Sequence, residues 1–137
     1  MADANDLAGE LQRRGFLARE APKRFSGGGS PLFAKGLEEF RAGRFFEAHE
    51  EWELLWNVST GDDRVFLQGL IQLAAARVHL GRGNPAPAAR LLALAKAKLD
   101  RFEDEEGGMN LGLLRKEIEA ALALPTADLL RRQIFTL

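Results

Sequence analysis

The run Phe66-Leu67-Gln68-Gly69-Leu70-Ile71-Gln72-Leu73-Ala74-Ala75-Ala76-Arg77-Val78-His79-Leu80 decides the fold. Wound as a helix, it places Phe66, Leu67, Leu70, Ile71, Leu73, Ala74, Val78 and Leu80 around nearly its whole circumference. A helix that is apolar all round is buried at the centre of its protein. One polar stripe interrupts it: Gln68, Gln72 and His79 fall within about 40° of one another, with Ala75 between them. Gly69 and Ala74-Ala75-Ala76 leave room for a neighbouring helix to approach closely. Such a helix needs others around it, and the flanking sequence supplies them.

The 137 residues include 23 Leu and 21 Ala, about a third of the chain, against three each of Val, Ile and Thr. Straight-chain and small residues lose little rotamer freedom in a helix, whereas β-branched ones suit strands. An all-α, single-domain-sized chain follows. A net charge of −1 excludes a protein held on nucleic acid or membrane mainly by bulk attraction. The lack of cysteine excludes disulfides, thiolate metal sites and a cysteine nucleophile. No apolar run approaches the roughly 18 residues of a membrane span. Met1-Ala2-Asp3-Ala4-Asn5-Asp6 is acidic with no apolar stretch behind it, unlike a secretory signal. A cytoplasmic location, with no membrane or nucleic-acid partner and no cofactor, is expected.

Outward from the central run, Ser30-Pro31 opens a helix to Ala42 carrying Phe33, Leu37 and Phe40. Gly43 ends it, and a second helix runs from Arg44 to Asn57. The central helix spans about Asp63 to Leu80, and Asn84-Pro85 opens a fourth reaching Glu106. Asn110 caps a fifth with Leu111, Leu114, Ile118 and Leu122, and Pro125-Thr126 starts a short sixth with Leu129, Leu130 and Ile134. Phe40-x-x-Gly43-x-x-x-x-Ala48 is matched by Leu80-x-x-Gly83-x-x-x-x-Ala88, a helical-hairpin grammar similar to the tetratricopeptide turn. The expected architecture is a compact bundle of two antiparallel helical hairpins with extra C-terminal helices. Residues 1–30 are expected to be an N-terminal arm and Gly-rich linker (Gly27-Gly28-Gly29), 31–106 the hairpin core domain, and 107–137 C-terminal helices packed on it. Residues 1–20 carry a weak helical pattern, Leu7 and Leu11. From Arg13 to Arg24 the arm holds five bases and one acid, while Glu38 to Asp63 holds eight acids and two bases. The arm reads as lying against that acidic stretch, or as touching nucleic acid.

On the second helix, Phe45, Ala48, His49, Trp52 and Trp56 share one side, with His49 near its centre and Glu53 one turn on. Buried polar groups without partners cost roughly 1–3 kcal/mol each. His49 and Glu53 are therefore expected to face Gln68, Gln72 and His79 as one connected cluster, with Trp52 and Trp56 as core anchors. The cluster reads three ways: a structural network, a ligand or reaction pocket, or a metal site. His49-Glu50-x-x-Glu53 is similar to the zincin helix motif with Glu in place of its second His, and His79 would be the third ligand beside His49 and Glu53.

The run Phe40-x-x-Gly43-Arg44-Phe45-Phe46-Glu47-Ala48-His49-Glu50-x-Trp52-Glu53-x-x-Trp56, followed by Phe66-Leu67-Gln68-Gly69-Leu70-Ile71-Gln72-x-Ala74-Ala75-Ala76-x-x-His79, resembles the domain-of-unknown-function 309 family. The resemblance covers about residues 31–105. It implies a compact all-α fold and a motif on these same residues, and no activity, substrate or cofactor.

Two classes of function remain. One is a non-enzymatic interaction or scaffold domain with a protein or small-molecule partner. The other is a small hydrolase-type enzyme, or a metal- or ligand-binding protein, using His49 with Glu50 or Glu53 as acid and base and His79 beside them. A closed, dry cluster favours the first and a solvent-reached cleft the second. A homodimer is expected through Phe45–Phe46 and Ile134–Phe135.

Overall fold

The computed structural model describes residues 22–131 and residue 137. Helices α1 (Pro31–Arg41), α2 (Phe45–Asn57), α3 (Gly61–Gly81) and α4 (Pro85–Leu99) precede a minimal hairpin, β1 (Glu105–Glu106) and β2 (Met109–Asn110). Helix α5 (Leu111–Leu122) follows, and short 3-10 segments lie at Gly27–Gly29 and Thr126–Arg131. The fold is a helical bundle: α1 packs on α2, and α3 packs on both α2 and α4. Phe66, Leu67, Leu70, Leu73, Ala74 and Ala76 of α3 are fully buried, as the central run predicts. A Cβ on Gly69 would press on Leu99, so that glycine does let α4 come close.

The two matched sequence turns are one structure made twice. Gly43 and Gly83 adopt φ of +80° and +77°, the left-handed region open to glycine. At the first turn the Gly43 N–H donates to the Phe40 carbonyl (3.0 Å) and the Arg44 N–H to that of Glu39 (2.8 Å). At the second, Gly83 donates to Leu80 (3.1 Å) and Asn84 to His79 (2.9 Å). Both are Schellman stops, and Ala48 and Ala88 are buried where each new helix meets its neighbour.

Helix α4 stops at Leu99, not Glu106, and residues 105–110 pair as a hairpin rather than continuing a helix. Four acids in succession, Glu103 to Glu106, repel one another and oppose the negative end of a helix dipole. Arg115 secures the stop by donating to the carbonyls of Leu99 and Phe102, both at 3.0 Å. Gly107 and Gly108, at φ of +57° and +76°, make the tight turn that a two-residue hairpin requires. The short sixth helix is a 3-10 turn. Asn110 does cap α5, accepting from the Leu113 N–H (2.9 Å), whereas the side chains of Ser30 and Asn84 make no cap bond.

The Gly-rich stretch is anchored. Phe25 is buried and stacks on Phe66, centroids 4.2 Å apart, beside Phe33. Its N–H donates to the buried Glu106 carboxylate, which also lies 2.9 Å from Arg24 Nε. Ser26 donates to Asp63 from both its N–H and its hydroxyl. Lys23 Nζ reaches Asp62 at 3.1 Å, so the described end of the basic arm does lie on part of the acidic stretch. The 1–20 helical pattern, Arg13, Arg14 and Arg19, and Ile134–Phe135 lie outside the described residues.

Lys23 and the Arg24 N–H hold the Asp62 carboxyl below its usual pKa. Its contribution to stability is therefore complete above the unfolded carboxylate value of about 3.9 and is lost as pH falls through the lower folded value. The Tm gap between the native chain and Asp62→Asn should be constant above neutral pH and close on acidification. A gap that widens toward low pH would contradict the pairing. At α1, a Cβ on Gly36 would run into the Trp52 indole. Gly36→Ala should lower stability in urea by about 1–3 kcal/mol through overpacking. Gly81→Ala, which meets open space, should be neutral or slightly stabilising.

Candidate functional site

Trp52 fixes how α2 is turned. Its side chain is fully buried, its Nε1–H donates to the Phe33 carbonyl (3.2 Å), and Phe40 stacks on it. With Trp52 inward, three residues back places His49 about 60° round the helix, and Glu53 follows at about 100°. His49 therefore sits at the edge of the packed side rather than its centre, with its side chain 28% exposed, and the Glu53 side chain is 50% exposed. The Nδ1 of His49 lies 3.5 Å from Glu53 Oε2 without hydrogen-bond geometry. Phe46 lies nearly parallel to the His49 ring with centroids 6.3 Å apart.

Two concavities meet at His49. The smaller, about 140 Å³, lies between α2 and α3 and is lined by Phe46, His49, Ala75, Val78, His79 and Arg82. The Nδ1 atoms of His49 and His79 are buried with no hydrogen-bond partner among the described residues. The larger, about 380 Å³, is lined by Phe46, His49, Glu50, Glu53, Leu54 and Asn57, all from α2. It is a groove along one helix, open to solvent, not a closed cluster.

The five-residue network does not form as one unit. His49 lies beside Glu53 and separately shares a crevice with His79, but the Gln72 side-chain Oε1 accepts from Lys98 Nζ of α4 at 3.0 Å. Gln68 is half-buried and lines neither concavity. Gln68, Gln72, Ala75 and His79 are all half-exposed, because their stripe is the outward strip of α3 between its two neighbours. Water reaches part of such side chains, so the two glutamines need not pair with the histidines, although the His79 Nδ1 itself stays buried. Nor do three His, Asp or Glu side chains gather as a metal cage among the described residues, so His49, Glu53 and His79 do not form one. Glu50 points into solvent. Of the dimer candidates on α2, Phe46 is 52% exposed, while Phe45 is half-buried beneath the Arg77 guanidinium.

Trp56 is the less buried of the two tryptophans and carries the Arg64 guanidinium 3.6 Å from its ring centroid. That role of Arg64 had no sequence signal beyond spacing, and neither had Arg82 in the crevice. Leu54, 56% exposed, was legible: it lies eight residues after Phe46 on the same helix face.

The model of a family described as Domain of unknown function (DUF309) matches residues 33–91, from α1 into α4. The matched stretch contains every candidate site residue and ends at 91, short of 105. No curated protein and no solved structure matches the chain.

Because Glu53 is exposed, Glu53→Ala should change unfolding free energy by less than about 1 kcal/mol. A loss of roughly 3 kcal/mol or more in denaturant titration, the range for breaking a buried ion pair, would place it in a buried network instead.

Proposed function

We propose that this DUF309-domain chain is a non-enzymatic interaction domain and that the outer ridge of α2 is its binding surface. The observation that carries the reading is Phe46 and Leu54, both more than half exposed on one helix face. Around them stand Glu47, Glu50, Glu51 and Glu53, with no Lys or Arg anywhere in Phe45–Asn57. Large apolar side chains left in water contribute about 1.5–3 kcal/mol each when a partner buries them. Acids around such an anchor select a basic partner and speed its approach. The preferred ligand is a basic amphipathic helix laid along the groove, a common mode of peptide recognition.

A small-molecule site generally surrounds its ligand with convergent groups. A groove lined by a single helix fits that description poorly, which supports the interaction reading over a hydrolase. The second reading, a ligand or acid–base site at His49, Glu53 and His79, draws on the two unpartnered imidazole Nδ1 atoms at the α2–α3 crevice.

A synthetic Lys/Leu amphipathic helical peptide, titrated into the isotopically labelled protein, should shift the amide resonances of residues 46–58. The effect should fade with added salt. Phe46→Ser/Leu54→Ser should abolish it while leaving Tm nearly unchanged, since both side chains are at the surface. If the shifts instead cluster at Ala75–Arg82 and vanish in His49→Gln, the crevice is the site and the ridge reading fails.

A further inference from the structure

We propose that the partner of the α2 ridge is a second copy of this chain. In the pair, α2 of each protomer lies against α4 of the other across a two-fold axis over α3. The proposal rests on the reading of the ridge as a binding surface and names its occupant.

Charge is segregated between the two helices that flank α3. Helix α2 holds four acids and no Lys or Arg. Helix α4, Pro85–Leu99, holds Arg90, Lys96 and Lys98 and no Asp or Glu. Each also leaves large apolar surface in water: Phe46 and Leu54 on α2, and Leu94, 49% exposed, on α4. The chemistry that the α2 ridge selects, basic residues around an apolar anchor, is therefore present on α4 of the same molecule.

The two helices border one surface. On one flank of α3, Phe46 and His49 share a crevice with Ala75 and His79. On the other flank, Lys98 reaches over to Gln72. The strip of α3 between them, Gln68, Gln72, Ala75 and His79, is partly exposed and carries no Asp, Glu, Lys or Arg, since Arg77 lies off the strip over the Phe45 ring. Acidic edge, neutral strip and basic edge thus run side by side. A two-fold rotation about the strip sets acid edge on basic edge twice, which is the self-complementarity an isologous dimer requires. The other arrangement, α2 against α2, would bring the two acid groups together and is disfavoured by repulsion. Lys96 is neutralised by Asp100 at 2.7 Å, whereas Lys98 holds the neutral Gln72 amide, which leaves Arg90 and Lys98 as the bases best placed for the partner.

Sedimentation of the full chain tests this with two charge-reversed variants. One is Glu50→Lys/Glu53→Lys; the other is Arg90→Glu/Lys98→Glu. The unaltered chain, 15.1 kDa as a monomer, should sediment as a dimer at high micromolar concentration and dissociate with added salt. Each variant alone, with the native circular-dichroism spectrum, should pair roughly tenfold or more weakly, because like charge then meets like. Mixing the two should restore a dimer, since both contacts again join opposite charges. A monomer at all concentrations overturns the self-pairing; if the Lys/Leu peptide still shifts residues 46–58, the ridge reading survives that result, and if it does not, both fall. Reversal of α4 that leaves the dimer intact overturns the α2–α4 contact. Oligomers growing beyond two copies overturn the two-fold arrangement.

Discussion

Trp52 packed against Gly36 is the constraint on which the rest depends. The indole occupies the space that a side chain at Gly36 would fill, and its N–H is satisfied by the Phe33 carbonyl. Helix α1 can approach α2 closely only because position 36 has no Cβ. That contact sets the rotation of α2, and rotation decides everything exposed on it. Trp52 and Ala48 go inward, His49 goes to the rim, and Phe46, Glu50 and Leu54 go to solvent. The Schellman turn at Gly43 contributes from the other side, since it delivers α2 at a fixed angle from α1.

A second constraint is the position of α3. Lodged between α2 and α4 over the aromatic group of Phe25, Phe33, Phe66 and Phe102, it must be apolar on three sides. Its fourth side is the strip of Gln68, Gln72, Ala75 and His79. In sequence, a polar stripe on such a helix looks like an internal network. In three dimensions, among the described residues, it is the side that the neighbouring helices leave partly open.

Much of the fold was legible because it follows from short-range chemistry. Glycine after an apolar helix end gave both Schellman turns, and Asn110 gave its cap. The period of Leu and Ala residues located the central helix. What escaped depends on contacts far apart in sequence. Phe25 sits beside glycines, so nothing local marks it as core; its ring is buried by stacking on Phe66, while Glu106, 81 residues away, accepts its N–H. The end of α4 is held by Arg115, sixteen residues beyond Leu99. At the candidate site the residues were identified but not their burial. A helical wheel cannot say where a packed face ends, and His49 and Glu53 lie just past that edge. The consequence is a change of role: side chains read as an internal cluster belong to a surface.

The central claim is that the outer face of α2 is covered by a partner when one is available. Carbodiimide labelling of surface carboxylates, read by mass spectrometry across a dilution series of the full chain, tests it directly. Glu50 and Glu53 should label freely in dilute protein and become protected as concentration rises, while Glu119, exposed on α5, labels equally throughout. Equal labelling of all three at every concentration would contradict the account.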